Sequence, residues 1–288
     1  MKQKYLWLLI LICCSLYFVA CSSESYNIDN ANSTDTSSLK TPVNVNSAEV
    51  EKILKSKRTY TVKSAPTFVL SLTGNYNIGV SELSLNDNPA QFIAGQNFGV
   101  RNGYGFNAMG KIPIDKQKGN IRIIVLGSFN HFKDNFSNAS YTDSGSVQYS
   151  IFSGGVGIEN NFTPKFSVKP FIGIAILGSM ISGKSDYIFN GVSNSVNIKS
   201  SFRLGYTVYA GLEYVVSNSI GINLGGRITS VNTWLKKSVD DGGTTDVSLR
   251  DAFTSPPIPY GGWKNFAFTS FYLGTSIYFG VKDKIFKF

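Results

Sequence analysis

From residue 67 onward the chain alternates large apolar and polar side chains with a period of two, in runs longer than the strands of ordinary soluble sheets. In 67–80, Phe68, Leu70, Leu72, Tyr76, Ile78 and Val80 fall on one face. Thr67, Ser71, Thr73, Asn75 and Asn77 fall on the other, where Val69 is the one large apolar exception. A helix would bring together residues three and four apart and mix the two sets, so the stretch is a strand.

The pattern recurs along the chain. Phe98, Val100, Tyr104, Phe106, Ile112 and Ile114 alternate with Arg101, Asn107 and Lys111; Ile121, Ile123, Val125 and Phe129 alternate less cleanly with Arg122, Ile124, Leu126 and Asn130. Phe152, Val156 and Ile158 oppose Ser153 and Glu159, and Phe166, Val168, Ile172, Ile174, Ile176 and Met180 oppose Lys169 and Ser179. Phe202, Leu204, Tyr206, Val208, Leu212 and Tyr214 face away from Arg203, Thr207, Tyr209 and Glu213. Ile220, Ile222, Leu224 and Ile228 against Asn223 and Arg227, then Phe271, Leu273, Ile277 and Phe279 against Tyr272, Ser276 and Tyr278, complete eight strands. Most can run to about ten residues, the length that crosses a bilayer at a tilt, whereas soluble strands average about five or six. Connections at 115–120, 161–165 and 215–219 are short, and those at 81–96, 133–147, 183–200 and 232–264 are long. Short turns on one rim and long loops on the other are the plan of an outer-membrane barrel with both chain ends in the periplasm. A sheet in hydrocarbon must also close, because open edges would leave backbone groups without partners. The expected fold is all-β: a closed antiparallel up-and-down transmembrane β-barrel of eight strands.

Composition agrees with strands and tight turns. Charged residues make up 16% of the chain and aromatics 14%. The net charge of +9 raises a nucleic-acid reading, but the basic residues are scattered and form no stripe, so no nucleic-acid partner is expected. Lys2 and Lys4 followed by an uncharged apolar run from Tyr5 to Ala20 form an export signal over 1–20. The run ends Phe18-Val19-Ala20-Cys21, similar to a bacterial lipobox in which the cysteine carries diacylglycerol; Phe18 stands where leucine is usual. Cys13 and Cys14 lie in the removed segment, so Cys21 is the expected lipidation site; ordinary cleavage near Ala20 is the other reading. A mature chain with at most one cysteine has no internal disulfide and no cysteine-built metal site, and no cofactor is implied. Residues 21–62 read as a flexible periplasmic tether rich in Ser, Asn and Thr. Within it, Asn46 and Glu49 have capping-box spacing, and Val50, Ile53 and Leu54 share one face of a short helix. The barrel is assigned to 63–288.

The barrel region resembles the small bacterial outer-membrane barrels grouped with the OmpA-like transmembrane domain and the opacity-type surface proteins. The resemblance covers about Pro66 to Phe288 and rests on strand number, loop alternation, the Pro170-Phe171-Ile172-Gly173-Ile174 start of a central strand, and the aromatic end. It implies the outer membrane of a Gram-negative-type bacterium, contact with outer-membrane lipid and lipopolysaccharide, and a monomer. It also implies reading by the barrel-insertion machinery through the C-terminal strand, where Phe279 or Phe288 could serve.

Three constellations could carry chemistry. Arg101, Lys111, Arg122, Glu159, Lys169, Arg203, Glu213 and Arg227 are expected to face the barrel interior. There they form either a structural plug of salt bridges, with Glu159 and Lys169 pairing across a short turn, or the lining of a narrow diffusion channel. His131, the only histidine, points outward with Phe129 near the outer rim, close in sequence to Ser128, Asp134 and Ser137. That is where a lipid A-modifying barrel enzyme would work, although the spacing of a triad is absent. The loop 232–264 carries Asp240, Asp241, Asp246 and Asp251 with Lys236, Lys237 and Arg250, and serves either to recognise an extracellular ligand or to shield the mouth. Tyr260 and Trp263 would anchor the aromatic girdle as the chain re-enters the membrane. The expected protein is a non-enzymatic barrel with a side-chain-filled interior and a structural or surface-interaction role; a porin-like channel and a lipid A-modifying enzyme are the alternatives.

Overall fold

A computed structural model of the chain describes residues 59–84, 97–114, 120–137, 144–162, 167–189, 191–237, 246–249, 251–252 and 264–287. The export signal, Cys21, the tether helix, Tyr260 and Trp263 lie outside these residues. Eleven strands follow one another: β1 (Thr59–Lys63), β2 (Phe68–Val80), β3 (Asn102–Pro113), β4 (Ile121–Ser137), β5 (Ser144–Asn161), β6 (Val168–Phe189), β7 (Val192–Val215), β8 (Ile220–Trp234), β9 (Asp246–Val247), β10 (Ala267–Phe279) and β11 (Asp283–Lys287). Eight of them close a ring in which each strand pairs antiparallel with the next, from β2 through β8 to β10 and back to β2. The ring leaves no sheet edge along its circumference, which is the condition for strands to stand in hydrocarbon. Among the described residues, no helix is long and apolar enough to cross a membrane.

Alternation sets the two faces. Outward residues form an apolar band that includes Phe106, Phe152, Val156, Ile176, Leu224, Phe271 and Leu273, all exposed. Inward residues include Ser71, Asn75, Asn107, Glu159, Glu213 and Asn223, all buried. This inside-out arrangement is that of an outer-membrane-type barrel.

The strands differ in reach. Two stretches expected as long loops, 133–147 and 183–200, are mostly strand: β4 runs to Ser137, β5 begins at Ser144, and only residues 190–191 separate β6 from β7. β6 has 22 residues and β7 has 24, about twice what a tilted crossing needs. β8 pairs with β7 only from Leu204 to Val215, so the other half of β7 stands clear of the ring beside β6. The two-residue β9 adds to this extension in parallel, at Asn197 and Ile198. Between the connections 81–101 and 235–266, the rim therefore carries a strand-built wall from β4 to β7.

At the opposite end, β1 pairs antiparallel with β11, and Ser64 N–H donates to the Lys282 carbonyl at 2.9 Å. Both ends of the described chain leave together on the short-turn side, as a ribbon that begins inside the stretch the sequence assigns to the tether.

Candidate functional site

The lumen is the first place where such a barrel could do chemistry, and it is closed in layers. Near the short-turn end, Lys111 of β3 and Arg122 of β4 converge on Glu159 of β5. Lys111 Nζ lies 2.8 Å from Glu159 Oε2, and Arg122 Nη1 lies 3.3 Å from Oε1 and 3.5 Å from Glu213 Oε2. The Tyr209 hydroxyl donates to Glu159 Oε2 at 3.2 Å. All four charged side chains are almost wholly buried, so pairing is the condition for their presence. Lys169, expected to reach Glu159, is half-buried and lies opposite Glu213 in the β6–β7 ladder. Met109, Ile124, Leu126, Phe171, Leu177, Tyr209 and Tyr272 fill the space around the ions. Tyr209 fits because its ladder partner is Gly173: a Cβ there would sit 2.3 Å from the ring, so no other residue leaves room.

Amides dominate the middle. Asn75, Asn77 and Asn130 exchange hydrogen bonds of 2.8–3.0 Å, Ser270 donates to Asn77 at 2.7 Å, and Asn107 donates to Asn75. Arg227 reaches Asn107 and lies between the rings of Tyr209 and Tyr272, 5.5 and 5.4 Å from their centroids. The space left among Ser71, Asn107, Lys111, Tyr209 and Arg227 is a cavity of about 10 Å³, room for one water molecule at most.

Toward the long-loop end the interior turns apolar. Phe98, Phe132, Tyr149, Ile151, Ile181, Val231, Leu249, Phe266 and Phe268 form one buried cluster. Phe266 stands edge-on to Tyr149 and Phe132, with centroids 5.2 and 5.8 Å away. Leu83, Phe98 and Val100 come from the first long loop and Leu249 and Phe266 from the second, so the loops fold into the mouth. A buried ion pair holds the second loop down. Asp251 receives Arg203 Nε at 2.7 Å and Nη2 at 2.9 Å, Asn232 Nδ2 at 3.0 Å and the Lys237 N–H at 3.0 Å.

Of the eight residues expected inside, Lys111, Arg122, Glu159, Arg203, Glu213 and Arg227 are buried. Arg101 is a correction. It precedes β3, where the loop chain leaves the ladder and parity no longer aims a side chain. Its side chain is 46% exposed, and its backbone N–H donates to Asp134 at 3.1 Å. Asp251 of the 232–264 loop joins the buried charges, although no expectation placed it inside. The signal was charge balance: the inward set held basic residues well in excess of Glu159 and Glu213, so an acid had to come from a loop.

His131 faces outward as expected. Its Nδ1 lies 3.1 Å from Ser150 Oγ, and its ring is 5.4 Å from that of Tyr104. Ser128 and Asp134 share the parity of buried Phe132 and so turn to the other face of the sheet, away from His131. Among the described residues, no group of three or more His, Cys, Asp or Glu side chains is placed to hold a metal ion. On the wall beyond the apolar band, Asp186 accepts from Ser195 Oγ at 2.6 Å and pairs with Lys184 at 2.9 Å. That hydroxyl first, and then the ammonium, hold its carboxyl below the usual carboxylate range.

No family model matches the chain, and no curated protein matches it in sequence. Solved structures similar to it include Neisserial surface protein A, at 14% identity and a TM-score of 0.43, covering 76% of this chain and 99% of that one. Another is Ail, the attachment invasion locus protein of Yersinia pestis, in complex with the heparin analogue sucrose octasulfate (12% identity, TM-score 0.31, 75% and 96% covered). A third is the outer membrane protein AlkL in lipid bilayers (12%, 0.26, 78% and 92%). At such identities, what this barrel does has to be read from its own residues.

Proposed function

We propose that the protein is a non-conducting, non-enzymatic outer-membrane barrel that holds a strand-built wall at the cell surface for interaction. The observation that carries this reading is the double closure of the lumen. Buried ion pairs shut the short-turn half and an aromatic cluster shuts the mouth, and the cavity beside Lys111 and Arg227 holds one water at most. A diffusion channel needs a continuous wet path, which such packing removes. The wall is what remains available to partners: a rigid sheet clear of the ring, whose outward face carries serine, asparagine and lysine side chains. The non-enzymatic part is supported by the paired His131 and Ser150, whose nearest sequence acid, Asp134, faces the other way.

Planar bilayers containing purified protein test the reading. Flat current traces at several hundred millivolts and molar salt are expected; steady, discrete conductance steps would overturn it.

A further inference from the structure

The outward side chains of β4, β5 and β6 change character in register as the strands leave the apolar band. One ladder row reads Phe106, Phe129, Phe152, Met180 and Phe202 from β3 to β7, with the rings of Phe129 and Phe152 4.7 Å apart. The next outward row reads Tyr104, His131, Ser150 and Ser182. The row after it reads Lys133, Gln148, Lys184 and Asn197. Hydrocarbon-seeking, then hydroxyl and imidazole, then ammonium groups thus succeed one another within three rows. That is the order in which a bilayer leaflet presents acyl chain, interfacial ester or sugar, and headgroup phosphate.

We propose that this face, with Lys133, Gln148 and Lys184 above His131, Ser150 and Ser182, binds the phosphate-bearing headgroup of a lipid in the outer leaflet. Lys133 and Lys184 stand two inter-strand spacings apart, about 10 Å, on either side of Gln148. One phosphate between them is within reach of both flexible side chains, with the amide of Gln148 as a further donor. Lys199 of β7 is exposed beside this row. Among the described residues, two carboxylates share this outward neighbourhood. Asp186, one outward row further, engages Lys184, and Asp246 accepts from Asn197 Nδ2 at 3.2 Å at the far edge of the wall. Continuity with the membrane band favours a lipid over a soluble anion, because the phenylalanine row two outward rows below offers its acyl chains an apolar surface.

The inference rests on the reading of the chain as a membrane-embedded surface barrel, and the experiment separates the two. Full-length protein in detergent is first checked for heat-modifiable gel mobility; a chain that lacks it fails as a barrel, whatever its lysines do. Folded protein is then titrated with bis-phosphorylated lipid A, with its dephosphorylated form and with dextran sulfate, and retained lipid is read by native mass spectrometry. Wild type is expected to retain the phosphorylated lipid and release the dephosphorylated one. Lys133→Gln and Lys184→Gln each weaken retention roughly fivefold, and the pair roughly twenty-five-fold. Asp186→Asn frees Lys184 and tightens binding several-fold. Lys282→Gln, the same charge change at the opposite end of the barrel, leaves binding unchanged. Equal retention of both lipids, or equal retention by the double variant, would overturn the proposal. So would lysine-dependent capture of dextran sulfate with no preference for the lipid, since the occupant would then be a soluble polyanion.

Discussion

The two halves of the lumen are closed by opposite chemistry. On the short-turn side, Lys111, Arg122, Glu159 and Glu213 are held by pairing at 2.8–3.5 Å in a setting of apolar side chains. On the mouth side, Phe98, Phe132, Tyr149, Phe266 and Phe268 close the barrel by apolar packing, with three of the twelve cluster members supplied by the first long loop and two by the second, which the Arg203–Asp251 pair ties down. The first seal is built wholly from ladder residues, whose positions the closed ring dictates. The second depends on loops that must fold back and be held. Ion pairs in a fixed ring are all-or-none, because removing one partner strands the others in a dry interior. An apolar cluster is graded, because each truncation costs contact area and leaves its neighbours content.

The largest effect follows from breaking the ionic seal. Glu159→Ala leaves Lys111 and Arg122 facing each other with Glu213 as the remaining acid of the group. A loss of about 3–5 kcal/mol is expected, the usual range for unpairing a buried ion. The midpoint of the heat-modifiable gel shift, or urea unfolding in liposomes, measures it. Replacing Lys111, Arg122, Glu159 and Glu213 together by methionine and leucine should restore most of that stability. If Glu159→Ala were as mild as a surface substitution, the lower lumen would have to be wet, and the contrast between the halves would collapse.

The second effect concerns the latch between the halves' different origins. Asp251 gathers Arg203, Asn232 and the Lys237 amide, so Asp251→Ala removes the tie that keeps the second loop in the mouth. Hydrogen bonds to a charged group are worth about 1.5–3 kcal/mol. Asp251 comes from a loop rather than a ladder, so the chain can relax around Arg203 once the tie is cut, and a loss near the lower end is expected, about 2 kcal/mol. The distinguishing readout is proteolysis: cleavage within 232–264 should accelerate while the ring stays folded. Unchanged cleavage would mean that the aromatic cluster alone retains the loop.

How much of this could be read from residues differs between regions for a physical reason. Where one face of a strand meets lipid and the other the lumen, the period of two is sharp, and ring, orientation and most inward charges follow from it. Val69, Ile124 and Leu126 look like noise in that pattern because a small barrel fills its interior partly with apolar side chains. The wall reads as loops in the sequence because both of its faces are mostly polar, as at Lys184, Ser185, Asp186, Ser193, Asn194 and Ser195, so alternation vanishes while backbone pairing persists. The remaining signal was Asn190-Gly191, the strongest short hairpin dipeptide, and Gly191 takes the positive φ of 75° that such a turn needs. Asp251 was hidden because no periodicity aims a loop side chain.

The smallest effect marks where the interior ends. Arg101 has the parity of an inward residue but stands at the rim, 4.0 Å from Asp134 with its side chain 46% exposed. An exposed pair at that distance contributes about 0–1 kcal/mol, so Arg101→Ala should move the unfolding midpoint barely beyond error. Lys111→Ala, ten residues further along the same strand direction and the same parity, should cost several kcal/mol by leaving Glu159 short of a partner. The two substitutions delete like charges at positions of one parity, Arg101 just before β3 and Lys111 within it. A large gap between them therefore locates the water boundary of the lumen between β3's two ends; similar losses would place Arg101 inside the sealed interior and extend the ionic half to the mouth.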